Sequence, residues 1–168
     1  MKKNIKVINK EYTFSKDTLL ISKTDLKGVI TYANDNFVNL VGYTEKELIG
    51  KPHNLVRHPD MPAFIFKYLW DELQKGNEVS AYVKNRAKDG GFYWVHANAS
   101  PSIDNNGNIR GFHSTRRAPT KEAIDIIAPL YQQLLEAEEK GGIEASAKLI
   151  TSILKKEGVS YDEFVVSI

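Results

Sequence analysis

Cysteine is absent from this sequence. That removes disulfides, thiolate metal sites and any reaction or adduct that runs through a sulfur nucleophile, and it agrees with a reducing compartment. Long apolar runs are missing too, and nothing approaches the roughly 20 residues that a membrane-spanning helix needs. The basic start Met1-Lys2-Lys3-Asn4 leads into Ile5-Lys6-Val7-Ile8-Asn9-Lys10 without the apolar centre of a signal peptide, so the expected location is cytoplasmic. Charge of one sign is not in excess: 23 Lys and Arg against 21 Asp and Glu give a formal net charge of +2. Both signs are spread along the chain without a basic block, which leaves no electrostatic footprint for nucleic acid or direct membrane insertion. A Walker loop, a kinase or cyclase signature and a hydrolase nucleophile elbow are also lacking, so no enzyme is expected.

What is present fits one globular domain with room for an appended element: 168 residues, 42% hydrophobic and 26% charged. Residues 1–17 read as a polar arm with scattered anchors at Tyr12 and Phe14. Thr18–Lys23 and Val29–Ala33 are β-prone runs joined by the turn chemistry of Lys27-Gly28. Asn34 or Asp35 can then cap a helix with Phe37, Leu40 and Val41 at helical spacing, ended by Gly42. Thr44-Glu45-Lys46-Glu47 matches a capping box for a one-turn helix closed by Gly50.

A helix is expected over Ala63–Lys75, with Gly76 as its stop. Val79–Arg86 alternates and sets Val79, Ala81, Val83 and Asn85 on one face. Lys88-Asp89-Gly90-Gly91 turns the chain into a second alternating run, Phe92–Ser102, whose inner side carries Tyr93, Val95, Ala97 and Ala99. Alanines in mid-strand thin that face and leave volume for a helix or a ligand, because interiors do not tolerate large voids. Ile109–Arg117 is the last expected strand and ends in the basic pair Arg116-Arg117. From Thr120 the period is helical, with Ile124, Ile127, Leu130, Tyr131, Leu134 and Leu135 on one stripe. Pro129 should kink or divide this helix, Gly141-Gly142 should break it, and Ala145–Lys156 reads as a second amphipathic helix. Ser160-Tyr161-Asp162-Glu163 is another capping box.

Between the short helices lies His53-Asn54-Leu55-Val56-Arg57-His58-Pro59-Asp60-Met61-Pro62. The two prolines hold His58 and Met61 away from helix. Composition alone makes this a solvated turn, poor at burying itself, with a local Arg–Asp pair.

Assembled, these pieces resemble a PAS domain, an α+β fold in which a five-stranded antiparallel sheet carries short helices on one face, here over 18–119, with C-terminal helices over 120–168. More narrowly, Thr24-Asp25-Leu26, Thr31-Tyr32-Ala33-Asn34-Asp35, Gly42-Tyr43-Thr44, Pro52-His53-Asn54, Val56-Arg57-His58-Pro59-Asp60-Met61-Pro62 and Lys84-Asn85-Arg86 resemble the sensor domain of aerotaxis receptors. That resemblance implies non-covalent FAD and a role in reporting redox state, oxygen or electron flow to a chemotaxis partner. It implies FAD-holding roles for Asn34, Arg57, His58, Asp60, Trp70 and Asn85. Each has a physical case and an alternative. Arg57 can pair with a pyrophosphate or with Asp60, and His58 can donate a hydrogen bond. Trp70 can shield a ring or fill the core, while Asn34 can cap a helix. Asn85 offers a donor and an acceptor on the apolar face, which suits a flavin edge. His53 occupies the place where light-sensing flavin relatives carry their adduct-forming cysteine, and Val95 stands where a second flavin-contacting asparagine occurs in them.

The alternatives to FAD are haem, with His53, His58, His96 and His113 as the axial candidates and His96 facing away from the pocket, and a cofactor-free interaction module. The resemblance implies a separate membrane-bound, chemoreceptor-like transducer as partner, recruiting the chain to the inner membrane face, with a homodimer also open. The helices over 120–140 and Ala145–Lys156 are expected either to dock that partner or to pack back on the domain's own sheet.

Overall fold

The computed structural model describes residues 6–168, so the first five residues of the arm lie outside the described residues. Five strands, β1 (Leu20–Asp25), β2 (Ile30–Ala33), β3 (Val79–Arg86), β4 (Phe92–Ile103) and β5 (Ile109–Arg117), form one antiparallel sheet in the order β2-β1-β5-β4-β3. Alternation decides which side chains meet. Leu20, Ser22, Val83, Asn85, Tyr93, Val95, Ala97, Phe112 and Arg116 are buried toward the inner face, and Ala97 and Leu20 both pair in register with Arg116.

The inner face is covered by α1 (Asp35–Val41), α2 (Glu45–Leu48), a 3-10 turn over His53–Val56 and α3 (Ala63–Gln74). Asn34 caps α1 by accepting from the Phe37 amide, and Thr44 and Glu47 close the expected capping box on α2. The arm lies alongside the β3–β4 hairpin, pairing through Tyr12 N–H to the Phe92 carbonyl and Phe92 N–H to the Lys10 carbonyl.

α4 (Lys121–Glu157) comprises the expected pair of helices, run together across a kink. The expected break falls at Gly141 and Gly142, and the difference is confined to Pro129, through which the backbone stays helical. Proline removes one amide donor, which a long packed helix can absorb, whereas Gly142 takes φ 72°, ψ −168°, a region essentially closed to other residues. The helix thus has a first arm, 121–140, and a second arm, 143–157. Both apolar stripes pack back on the chain: Ile127, Leu130, Tyr131, Leu134, Ile150 and Leu154 are buried. With α5 (Tyr161–Ser167), they cover Tyr82 and Trp94 on the outer face of the sheet. Tyr131 donates to the Tyr82 carbonyl at 2.6 Å, its hydroxyl lies 3.2 Å from that of Tyr161, and its ring centre is 6.1 Å from that of Trp94. Of the two expectations for these stripes, docking a partner or packing back on the sheet, the structure shows the second. Burial of each such aliphatic side chain contributes about 1.5–3 kcal/mol, more than leaving it open for a partner would.

Candidate functional site

Between the inner sheet face and the helices lies a cavity of about 400 Å³, within the range of small-molecule sites. The sheet supplies Ser22 and Thr24 from β1, Val79, Val83 and Asn85 from β3, Ala97 and Ala99 from β4, and Phe112 and Arg116 from β5. Helix α3 supplies Phe66, Leu69, Trp70 and Leu73, and the 3-10 turn with its exit supplies His53, Asn54, Val56 and Arg57. Ala97 and Ala99 line it because their side chains end at Cβ, as the thinned strand face requires. The β1–β2 turn forms one lip. There the Asp25 carboxylate accepts the Lys27 and Val29 amides, and Gly28 takes φ 79°, with a Cβ in its place 3.8 Å from the Trp70 ring.

Four of the sequence-derived candidates meet at this cavity: His53, Arg57, Trp70 and Asn85. Asn85 is 5% exposed, and its backbone bridges that of Arg57, joining β3 to the helical wall. The Arg57 guanidinium lies 4.3 Å from the centre of the Phe66 ring. It does not pair with Asp60, contrary to the local Arg–Asp pair expected from composition; Asp60 instead accepts from Lys84 Nζ at 3.0 Å. Trp70 stacks edge-on against Phe112 at 5.1 Å while lining the cavity.

Three candidates stand away from the cavity lining. Asn34 spends its amide on structure, with Oδ1 accepting from Ile21 and Phe37 and Nδ2 donating to the Leu19 carbonyl. His58 is 4% exposed; its Nδ1 accepts the Asp60 amide at 3.0 Å and its ring meets Phe92 edge-on. Burial, aided by the Lys84 charge, pushes its pKa down to about 4, so it is neutral near pH 7. Asp60 is open to solvent. The segment does bury itself, against the expectation of a solvated turn. Its prolines turn His58 and Met61 inward, and the Met61 sulfur accepts the Lys84 amide.

The residue that sequence reasoning missed is Arg116. It is 3% exposed, its Nη1 lies 3.2 Å from His53 Nε2, and its guanidinium sits 4.5 Å from the centre of the Phe37 ring. Its Nε and Nη2 have no hydrogen-bond partner among the described residues. Burial lowers its pKa to about 10, which leaves it charged. His53 stacks on Phe37 at 6.0 Å, and Ser22 Oγ lies 2.9 Å from its Nε2. Burial first, then the Arg116 charge, push its pKa down to about 3. The signal for Arg116 was strand alternation: it follows Phe112 and Ser114 on the inner side of β5. Taken together, the cavity presents apolar walls, one buried amide, one neutral imidazole and one buried cation with free donors. Such a set accepts a flat, mostly apolar ligand whose edge carries hydrogen-bond acceptors.

A family model described as the PAS fold matches residues 30–116. Over 118 residues the chain is 52% identical to the aerotaxis receptor of Escherichia coli strain K12, covering 70% of this chain and 23% of the receptor. Over 110 residues it is 33% identical to the biofilm dispersion protein BdlA of Pseudomonas aeruginosa, covering 65% of this chain and 25% of that protein. The chain thus spans about a quarter of the length of these two relatives. Among solved structures, the dark structure of the blue-light photoreceptor Aureochrome1 LOV superposes with a TM-score of 0.58 at 20% identity, over 70% of this chain and 85% of that one. That likeness concerns the fold alone. With the sheet order, the helical cover and the matched residues in agreement, the chain belongs to the PAS fold family.

Proposed function

We propose that this chain is a flavin-binding PAS sensor, with FAD as its cofactor, that passes redox or oxygen state to a chemotaxis transducer in the membrane. The observation that carries the reading is Arg116. A buried cation without a carboxylate partner costs several kcal/mol in an otherwise apolar cavity, and its two free donors suit a ligand edge rich in carbonyl acceptors. Asn85 adds a donor and an acceptor on the neighbouring strand, Trp70 and Phe66 would flank a flat ring, and Arg57 would lie toward a phosphate. The similarity to a protein named as an aerotaxis receptor supports the reading.

Bound flavin supplies reversible electron and proton uptake. The chain's own contribution is to exclude water with its apolar walls and to hold donors at the ring edge. The Asn85 amide can turn between donating and accepting as that edge changes protonation, at the point where β3 meets the helical wall. No helix among the described residues is long and apolar enough to cross a membrane, so the transducer is a separate partner or a separate segment.

Haem is the second reading, because His53 and His113 both line the cavity. Its difficulty lies in the donor set: His53 Nε2 is engaged by Ser22 and Arg116, and a cation beside an axial nitrogen opposes a metal there. The visible spectrum of the purified chain, followed by chromatography of the released chromophore, tests both. A two-band flavin spectrum releasing FAD is expected. A single intense haem band, or no chromophore after incubation with FAD, would overturn the reading.

A further inference from the structure

Helix α3 begins without a cap of its own. Pro62 stands at the capping position and gives no side-chain hydrogen bond, and the first turn holds no acidic residue. Amide donors at a helix start need partners, and these come from far along the chain. Glu138, near the end of the first arm of α4, accepts the Ala63 amide through Oε2 and the Phe64 amide through Oε1, both at 2.9 Å. A carboxylate suits the positive end of a helix both by charge and by geometry.

The same Oε1 lies 2.9 Å from the hydroxyl of Ser146, a residue fully buried at the start of the second arm, whose single proton it shares with the Ile143 carbonyl, also at 2.9 Å. Gly142 makes this meeting geometrically available, since its glycine-only backbone angles kink the chain between the two arms. On the cavity side, the negative charge of Glu138 reaches Arg57 and opposes the effect of burial on its guanidinium. One carboxylate therefore touches the start of α3 and the second arm of α4, and acts on a residue of the cavity wall.

We propose that Glu138 is a positioning residue for the flavin cavity, tying the placement of Arg57, Phe66 and Trp70 to the docking of the C-terminal helices. The proposal rests on the flavin reading. Pro62 links α3 directly to the wall segment whose Arg57 bridges Asn85, so a rotation of that segment pulls on the Ala63 and Phe64 amides. Glu138 then has to choose between following α3 and keeping Ser146. In the other direction, undocking of the second arm removes one of its three hydrogen bonds and loosens the start of α3.

The test uses the full chain with E138A, E138Q and S146A, comparing hydrogen exchange of residues 57–66 and 143–157, the visible circular dichroism of bound flavin and its release rate. E138A is expected to raise exchange in both regions together, to change the flavin dichroism and to speed release about tenfold, a coupling of ordinary size between linked sites. E138Q keeps one acceptor oxygen and should fall between E138A and the parent chain. S146A leaves the α3 cap in place and should act in the same direction, more weakly. If E138A loosens 143–157 while flavin release stays within about twofold and the dichroism is unchanged, Glu138 is only a brace and the proposal fails. Should E138A not fold, unchanged exchange of 57–66 in S146A overturns the proposal. Should the parent chain take no flavin, the cofactor reading fails by itself. Exchange then decides alone: joint loosening of the two regions in E138A upholds the coupling, and loosening of one without the other refutes it.

Discussion

Arg116 Nη1 lies 3.2 Å from His53 Nε2. A guanidinium can only donate, so Nε2 must be the unprotonated nitrogen, the proton of the neutral ring sits on Nδ1, and the Ser22 hydroxyl, 2.9 Å away, donates to the same nitrogen. The pair is thus a cation leaning on a neutral imidazole at the cavity wall. Replacing the cation by a side chain of similar volume, Arg116→Met, should raise the His53 pKa from about 3 while weakening flavin binding. In the flavin-free chain the same change should be neutral or stabilising by about 1–4 kcal/mol, because an unpaired buried charge is removed. Imidazole titration by NMR and urea unfolding check the two halves. An unmoved His53 and a destabilised flavin-free chain would refute the assignment.

Acid should destabilise the fold through two histidines, His58 buried and His53 half-buried. His53 and His58 have folded pKa values lowered to about 3 and about 4 from an ordinary 6.5. Below about pH 6.5 the unfolded chain binds protons that the folded chain refuses, so stability is full above that value and falls as the pH drops toward 4. Each histidine should remove about 2 kcal/mol by pH 5, about 4 kcal/mol together. Urea unfolding at pH 7.5 and pH 5 measures this, and His58→Gln should lose about half the slope. A flat profile would show that these rings are protonated in the fold.

Much of the frame was legible in the sequence. Alternation placed β3 and β5 at the bounds observed, and Asn85 on the inner face, because a strand's period is short and local. Arg116 escaped for the opposite reason: arginine is rarely buried without a partner, so a terminal Arg-Arg pair reads as solvated even when alternation points one of the two inward. Composition makes the segment of His58 and Met61 a solvated turn because their burial involves Lys84, a strand away in space and distant in sequence. Glu138 sits in the charged run Glu136–Lys140, which carries no sign of a buried role. The missing cap at Pro62 signalled that α3 needs a partner, but contacts across 75 residues of sequence leave no local trace.

Asn85 should separate binding from signalling. Its side chain is almost fully buried in a cavity wall and its backbone bridge to Arg57 does not depend on the amide. Asn85→Ala should therefore keep the fold to within about 1 kcal/mol, since removing the whole polar group leaves nothing new unpaired. A variant that still holds flavin should lose the difference in protease protection between oxidised and dithionite-reduced samples over 57–66 and 120–168. Persistence of that difference would remove Asn85 from the signal path.

The C-terminal helices should prove part of the core instead of a detachable handle. A chain cut after Arg117 uncovers Tyr82 and Trp94, two aromatic side chains on the outer sheet face that α4 and α5 now shield, and it should aggregate. Tyr131→Phe gives a subtler measure, because only one hydroxyl is lost. That hydroxyl is buried, donates to the Tyr82 carbonyl at 2.6 Å and meets the Tyr161 hydroxyl at 3.2 Å. Its removal leaves buried polar atoms short of a partner and should cost about 1–3 kcal/mol. The loss should appear as faster amide exchange over 161–167, since Tyr161 is one of the two buried residues of α5. Exchange there equal to that of the parent chain would mean that α5 is held by Val165 and by the hydrogen bonds that Asp162 accepts from Tyr68 and the Ile168 carbonyl from Tyr82.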